Sequence, residues 1–250
     1  MKKHKICKIL LVILAIFLCV AFYELLGICV AYKKQPEVSN TTKKETKNGS
    51  WNECSENTER AVIIEKNPEA LLQRVRLIKN AKKEIILSTF AFQSDESGKL
   101  ILGALHDAAD RGVHIRLLVD GMESWIDMEG NPYFYGLSSH ENVEIKLYNK
   151  ANPLKPWKMM GRMHDKYLIA DGKRYILGGR NTYNYFLGDF PGHKNYDRDV
   201  LVVCDEPEKE NSVNQLLEYF ETIWEQEDSG YFHDNKKLAN RKSVKNAVLE

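Results

Sequence analysis

Cysteine is scarce in this chain and poorly placed for chemistry. Of five cysteines in 250 residues, Cys7, Cys19 and Cys29 lie in or beside an apolar N-terminal run. Cys54 and Cys204 remain and would pair only in an oxidising compartment, and Cys204, closing an apolar run, reads instead as a buried thiol. Zinc-type spacing of Cys and His is absent, so no metal and no cofactor are expected. A surplus of either charge is also missing: 36 basic against 35 acidic residues leave a net charge of +1. Surfaces that bind nucleic acid commonly carry a basic excess, because released counterions supply much of the affinity. Neutrality therefore favours a lipid or small substrate, although a local basic groove would be hidden in such a total.

Long apolar runs are confined to one place. Lys2, Lys3, Lys5 and Lys8 precede the run Ile9 to Tyr32, interrupted only by Glu24 and closed by Lys33-Lys34. About 20 apolar residues cross a bilayer, so this run is long enough. A signal peptide is the competing reading, but the run exceeds a usual apolar signal region and ends without a small-x-small cleavage site. A retained anchor is the expectation, with Glu24 near an interface where its charge reaches water. The denser N-terminal lysine cluster places that end inside and the remainder outside the cell membrane.

The expected layout is a basic segment 1–8, a transmembrane anchor 9–32, a flexible polar tether 33–60, a globular domain 61–226 and a polar tail or connector 227–250. Within the domain, Leu71, Leu72, Val75 and Ile78 fall at helical spacing over Pro68 to Lys79. Glu84 to Phe92 reads as a buried strand, Leu100 to Ala109 as a helix, and Val113 to Val119 and Val143 to Tyr148 as strands. Asp199 to Val203 adds another strand and Glu208 to Glu225 a closing helix. This alternation of helices with continuous apolar strands predicts an α/β fold with a mostly parallel or mixed sheet.

Chemistry concentrates in the run from His164 to Asn181, which contains the pattern H-x-K-x4-D-x6-G-G-x-N. In an extended segment His164 and Lys166 share one face and Asp165 points to the other. Imidazole is a credible nucleophile toward phosphorus because its neutral form is well populated near pH 7, and a covalent intermediate divides one difficult displacement into two easier ones. Lys166 would balance phosphoryl charge. Leu168-Ile169-Ala170, the turn Asp171-Gly172-Lys173 and the return strand Tyr175-Ile176-Leu177 form a hairpin that carries Gly178-Gly179-Arg180-Asn181 back beside His164. The glycines permit close backbone approach to a ligand, Asn181 offers an amide donor, and Arg180 a cation. Six fixed positions make chance coincidence on the order of 10⁻⁵.

These residues resemble the HKD signature of the phospholipase D superfamily, and Ala61 to Trp224 resembles one half-domain of that family. The resemblance implies an α/β/α sandwich with a mixed, mostly parallel sheet. It makes His164 the nucleophile, or the general acid of a paired site, and puts Lys166 and Asn181 on the phosphate. Asp171 would fix the hairpin rather than react, and Asp199, or Asp197 as second choice, would be the carboxylate that orients a histidine. Lys155-Pro156-Trp157 and Tyr185-Phe186-Leu187-Gly188-Asp189 are similar to bacterial cardiolipin-synthase-like members.

Family sites are built from two such motifs, yet none of His4, His106, His114, His140, His193 or His233 has a lysine two residues on. A homodimer or a second motif-bearing half would complete the site. Aromatic residues including Trp125, Tyr133, Phe134, Tyr135, Trp157, Tyr183, Tyr185 and Phe186 either line a lipid cleft or belong to the core. Lys155, Lys158, Arg162 and Arg180 either collect an anionic headgroup or are solvated. The resulting expectation is a membrane-anchored phosphodiesterase or phosphatidyltransferase acting on phospholipid. The alternatives are a single-motif nuclease, with nucleic acid the less favoured partner, and an inactive half-domain.

Overall fold

Neighbouring strand residues alternate between two hydrophobic clusters: Ile85 and Leu87 belong to one, Ile86 to the other. This period-two pattern means helices cover both sheet faces. The computed structural model describes residues 2–33, 39–40, 43–44, 59–158, 160–206, 211–232 and 235–249. Most of the expected tether, including Cys54, lies outside them.

Two compact units are present, one of residues 1–55 with 151–161, the other of 56–150 with 162–250. The first consists of helix α1 (Lys2–Lys33) and the loop 151–161, which contains a 3₁₀ turn at Pro156–Lys158. Residues His4–Lys33 of α1 contain an 18-residue window of mean hydropathy 2.9, and the helix is long and apolar enough to cross a membrane.

Among the described residues the second unit is built on eight strands: β1 (Glu59–Ile64), β2 (Glu84–Thr89), β3 (His114–Asp120), β4 (Val143–Tyr148), β5 (Lys166–Ala170), β6 (Arg174–Gly178), β7 (Asp199–Cys204) and β8 (Ser229–Tyr231). Their spatial order is β1-β7-β6-β5-β2-β3-β4-β8. The sheet is mixed, as expected, but only β2–β3 and β3–β4 pair in parallel; the other five pairs are antiparallel. The expected bias toward parallel pairing is therefore corrected. Parallel neighbours need a crossover helix, and of the sheet neighbours that follow one another in sequence only β2, β3 and β4 are joined through helices, whereas β5 and β6 join through a tight turn.

Helices α2 (Asn67–Asn80), α3 (Glu96–Asp110), α5 (Pro132–Ser138) and α7 (Lys242–Leu249) contribute Ile78, Leu105, Phe134 and Val244 to the larger cluster. Helix α6 (Ser212–Trp224) covers the other face with Val213, Phe220 and Trp224. Burial of several side chains of this size, each contributing about 1.5–3 kcal/mol, holds the layers together. The short helix α4 (Gly121–Asp127) follows β3, and the Asp120 carboxylate caps it by accepting from the Met122 and Glu123 amides.

Residues 227–250, expected as a polar tail or connector, instead add β8 to the sheet edge and place Phe232 and Val244 in the core, 2% exposed each. Spaced apolar anchors of this kind disappear in a composition dominated by Asn and Lys. Cys204 is a free thiol, 4% exposed.

Candidate active site

The site's geometry starts from pairing between β2 and β5. Thr89 pairs with Lys166 in antiparallel register, so the residues just beyond β2 meet those just before β5. The Phe90 ring accordingly stands edge-on to the His164 ring, centroids 4.6 Å apart, and the Lys166 Nζ lies 5.3 Å from the Phe90 centroid. His164 and Lys166 thus share one side of the chain. Asp165 faces the other way, where its carboxylate accepts from the Tyr219 hydroxyl of α6 at 3.1 Å.

Lys166 is 6% exposed, and its ammonium donates to the His164 carbonyl at 2.8 Å. Burial pushes its pKa below the ordinary lysine range, opposed by the carboxylates of Asp165 and Asp197. His164 itself is solvent-exposed.

The hairpin closes the site from the other side. Asp171 (φ 55°) and Gly172 (φ 60°) both take left-handed conformations in the turn, the backbone twist that tight hairpins favour. The Asp171 carboxylate accepts from the backbone N–H groups of Lys82, Lys83 and Glu84, at 2.7 Å for Lys83. Asp171 stands at the far end of β5 from His164, so it ties the hairpin to the start of β2.

Beyond β6, the Thr182 amide donates to the Ala91 carbonyl at 3.0 Å, and the Ala91 amide donates to Asn181 Oδ1 at 3.4 Å. Asn181 is 6% exposed; burial pushes the pKa of Tyr183 up, opposed by Asn181. His164, Lys166 and Asn181 therefore converge on Phe90 and Ala91.

Two expected site positions serve the protein's own interior. Arg180 is 1% exposed, and its guanidinium donates to the carbonyls of Ile64 and Glu65 and to Asn67 Oδ1 at 3.2, 2.7 and 3.1 Å. It is not positioned to collect substrate. Asp199, expected to orient a histidine, is 2% exposed; its Oδ2 lies 2.8 Å from Arg74 Nη1 and 3.2 Å from Arg180 Nη1. A carboxylate that neutralises two buried guanidiniums is committed to the core.

Gly178 and Gly179, expected to admit a ligand, are needed for different close approaches. A Cβ on Gly178 would meet the Asp199 carboxylate and the Arg198 carbonyl, and one on Gly179 would meet the Asp197 carboxylate. Asp197, the second-choice carboxylate, stands against Gly179 and, with Asp165, opposes the downward shift of Lys166.

Two further positions escaped the sequence reading. Phe90 had no polar letter to mark it. Asp120, 1% exposed, accepts from Arg162 Nε at 2.9 Å and from the Met163 amide at 3.1 Å, fixing the chain immediately before His164. Its signal was a carboxylate at the C-terminal end of a parallel strand, where α/β sheets place ligand crevices. Arg162 also pairs with Glu123 at 3.0 Å, so it is an ion-pair partner rather than a solvated charge.

The aromatic group divides: Phe134, Tyr135 and Phe186 are core, whereas Trp125 is 65% and Trp157 45% exposed. A cleft of about 520 Å³ lined by Val75, Lys99, Leu100, Tyr133, Phe190 and Val248 contains none of the converging residues. Among the described residues no group of three or more His, Cys, Asp or Glu side chains is arranged to hold a metal ion.

Comparison with known proteins agrees with this architecture. Residues 74–224 match a family model described as cardiolipin synthase, PLD-like domain. Cardiolipin synthase C of Escherichia coli K12 is 29% identical over 171 residues, 63% of this chain and 34% of the relative. The matched stretches cover 28–38% of the first three curated relatives, so the chain spans about a third of their length. Phosphatidylserine synthase from Haemophilus influenzae Rd KW20 superposes with a TM-score of 0.56 at 18% identity, covering 75% of this chain and 41% of that one. NucT from Helicobacter pylori superposes with a TM-score of 0.54 at 17% identity, covering 70% and 99% respectively. At these identities the two structures establish a common fold.

Proposed function

This chain belongs to the phospholipase D superfamily, its PLD-like domain occupying residues 74–224, and on that premise we propose that it is a membrane-anchored phosphodiesterase or phosphatidyltransferase acting on phospholipids. The reading is carried by the convergence of an exposed imidazole, a buried ammonium and an amide on Phe90 and Ala91. Helix α1 holds the enzyme at the bilayer, with the catalytic unit on the extracytoplasmic side.

In this mechanism the neutral His164 imidazole attacks phosphorus, the P–O bond to the headgroup alcohol breaks, and the departing oxygen takes a proton from the histidine of a second motif. Water, or a second alcohol, then attacks the phosphatidyl-His164 adduct. Its proton passes to that second histidine and the P–N bond breaks, giving hydrolysis or transfer. Lys166 and the Asn181 amide meet the charge on the phosphoryl oxygens, which is most effective where water is excluded; the burial of Lys166 suits it to that role. Asp171, Asp199 and Arg180 hold the frame. The second histidine comes from another copy of this chain in a homodimer or from a second motif-bearing partner.

The test is turnover by the purified, detergent-solubilised chain on phosphatidylglycerol, phosphatidylcholine and single-stranded DNA, beside His164→Ala. Lipid turnover that disappears in the variant is the expected result. Cleavage of DNA alone would replace the lipid reading with the nuclease one.

A further inference from the structure

Helix α1 is exposed along its length except for one stripe: Glu24, Gly27, Ile28 and Ala31 are the covered positions. Their spacing of three and four residues marks a single helix face. The loop 151–161 of the same unit packs beside this face. The Tyr23 hydroxyl donates to the Leu154 carbonyl at 2.9 Å. A Cβ on Gly27 would come within 2.5 Å of Pro156 Cγ, so only glycine allows the loop this close.

The position of that contact along the helix sets its depth. The 30 residues His4–Lys33 extend about 45 Å at 1.5 Å per residue, which matches the full bilayer with its headgroups around a hydrocarbon core of about 30 Å. Some 7 Å of headgroup region therefore lies at each end. Gly27, six residues before Lys33, sits about 9 Å in, at the boundary between headgroups and acyl chains.

The loop is patterned for that boundary. Its backbone makes three successive turn bonds, Lys155 N to Asn152 O, Lys158 N to Lys155 O and Gly161 N to Lys158 O. Residues three apart consequently align. Leu154, Trp157 and Met160 form one such row, 79%, 45% and 53% exposed, while Lys155 and Lys158 stand in another. A contiguous exposed apolar row marks a membrane or partner surface, and tryptophan concentrates at the membrane interface. The adjacent lysines suit anionic headgroups.

We infer that the loop 151–161 is an interfacial anchor, with Leu154, Trp157 and Met160 entering the lipid at the headgroup–acyl boundary on the Lys33 side of α1. Gly161 is three residues from His164, a chain reach of about 10 Å, so loss of the anchor is expected to weaken turnover of lipid in vesicles. The anchor requires α1 to cross the membrane; only its consequence for substrate rests on the phospholipid reading of the site.

The test uses the full chain reconstituted in phosphatidylcholine–phosphatidylglycerol vesicles, with and without brominated acyl chains, and reads tryptophan fluorescence. Wild-type protein is expected to show bromine-dependent quenching that falls in Trp157→Phe and also in Gly27→Leu, which displaces Pro156 from the helix. The double variant Leu154→Asp, Met160→Asp is expected to lose vesicle turnover several-fold while keeping turnover of a water-soluble phosphodiester. Equal quenching in wild type and Trp157→Phe would overturn the inference. Quenching is independent of turnover, so a quenched Trp157 in a protein inactive on lipid would support the anchor and remove only the substrate reading.

Discussion

Replacing Asp199 by alanine separates a structural role for this carboxylate from a catalytic one. Its side chain is fully buried between Arg74 and Arg180, whose own side chains are 5% and 0% exposed. Deleting one partner of a buried ion pair leaves uncompensated charge and typically costs about 3–5 kcal/mol. Here two guanidiniums lose their counter-charge. Arg180 keeps its bonds to Asn67, Ile64 and Glu65, and Arg74 keeps one to the Ala70 carbonyl at 3.1 Å, so a cost in the middle of that range is expected. For a domain of this size each kcal/mol lowers Tm by about 2–4 °C, giving a fall on the order of 10 °C. Thermal melts of the detergent-solubilised protein measure it, with His164→Ala as the control; loss of that exposed side chain should cost no more than about 0.5 kcal/mol. Asp199→Ala with an unchanged Tm and abolished turnover would refute the structural assignment and return Asp199 to the histidine-orienting role.

The remaining predictions concern the site's electrostatics and packing. Asp197 and Asp165 both oppose the downward shift that burial imposes on Lys166. Asp197→Asn should therefore lower the Lys166 pKa further, and the alkaline limb of the pH–rate profile should move to lower pH; an unmoved limb would detach Asp197 from Lys166. Burial raises the Asp165 pKa, opposed by the Tyr219 hydroxyl and Lys166, so folding favours its protonated form. That contribution is complete below the ordinary carboxylate value and fades as pH rises through the raised one. Asp165→Asn should accordingly gain Tm relative to wild type as pH rises above the ordinary carboxylate value of about 4, which melts at a series of pH values would check. Gly178→Ala must displace the Asp199 carboxylate or the Arg198 backbone and should cost about 1–3 kcal/mol of stability in denaturant titrations.

Local patterns in the chain were readable and long-range pairings were not. The β5–β6 hairpin follows from Asp171-Gly172-Lys173 between two apolar runs, because Asp and Gly tolerate the left-handed conformations such a turn requires. The face shared by His164 and Lys166 follows from strand alternation alone. Arg180 defeats this kind of reading: beside two glycines it resembles an anion binder, and its burial depends on partners 113 to 116 residues away. Asp199 fails for the same reason, since Arg74 lies 125 residues from it. The balance of strand directions was obscured because β8 is three residues long and most residues of β1 are exposed; neither carries the apolar run that marks a buried strand. Asp120 was visible as the end of a strand, but its grip on the Met163 amide depends on tertiary geometry.

The central claim is that His164 is the nucleophile. Its most direct test is mass analysis of the intact full chain, quenched in denaturant at neutral pH during turnover of phosphatidylglycerol. A phosphatidyl adduct mapped to His164 and absent from inactive His164→Ala is the predicted result. Undiminished turnover by His164→Ala would contradict the claim, as would an adduct on any other residue.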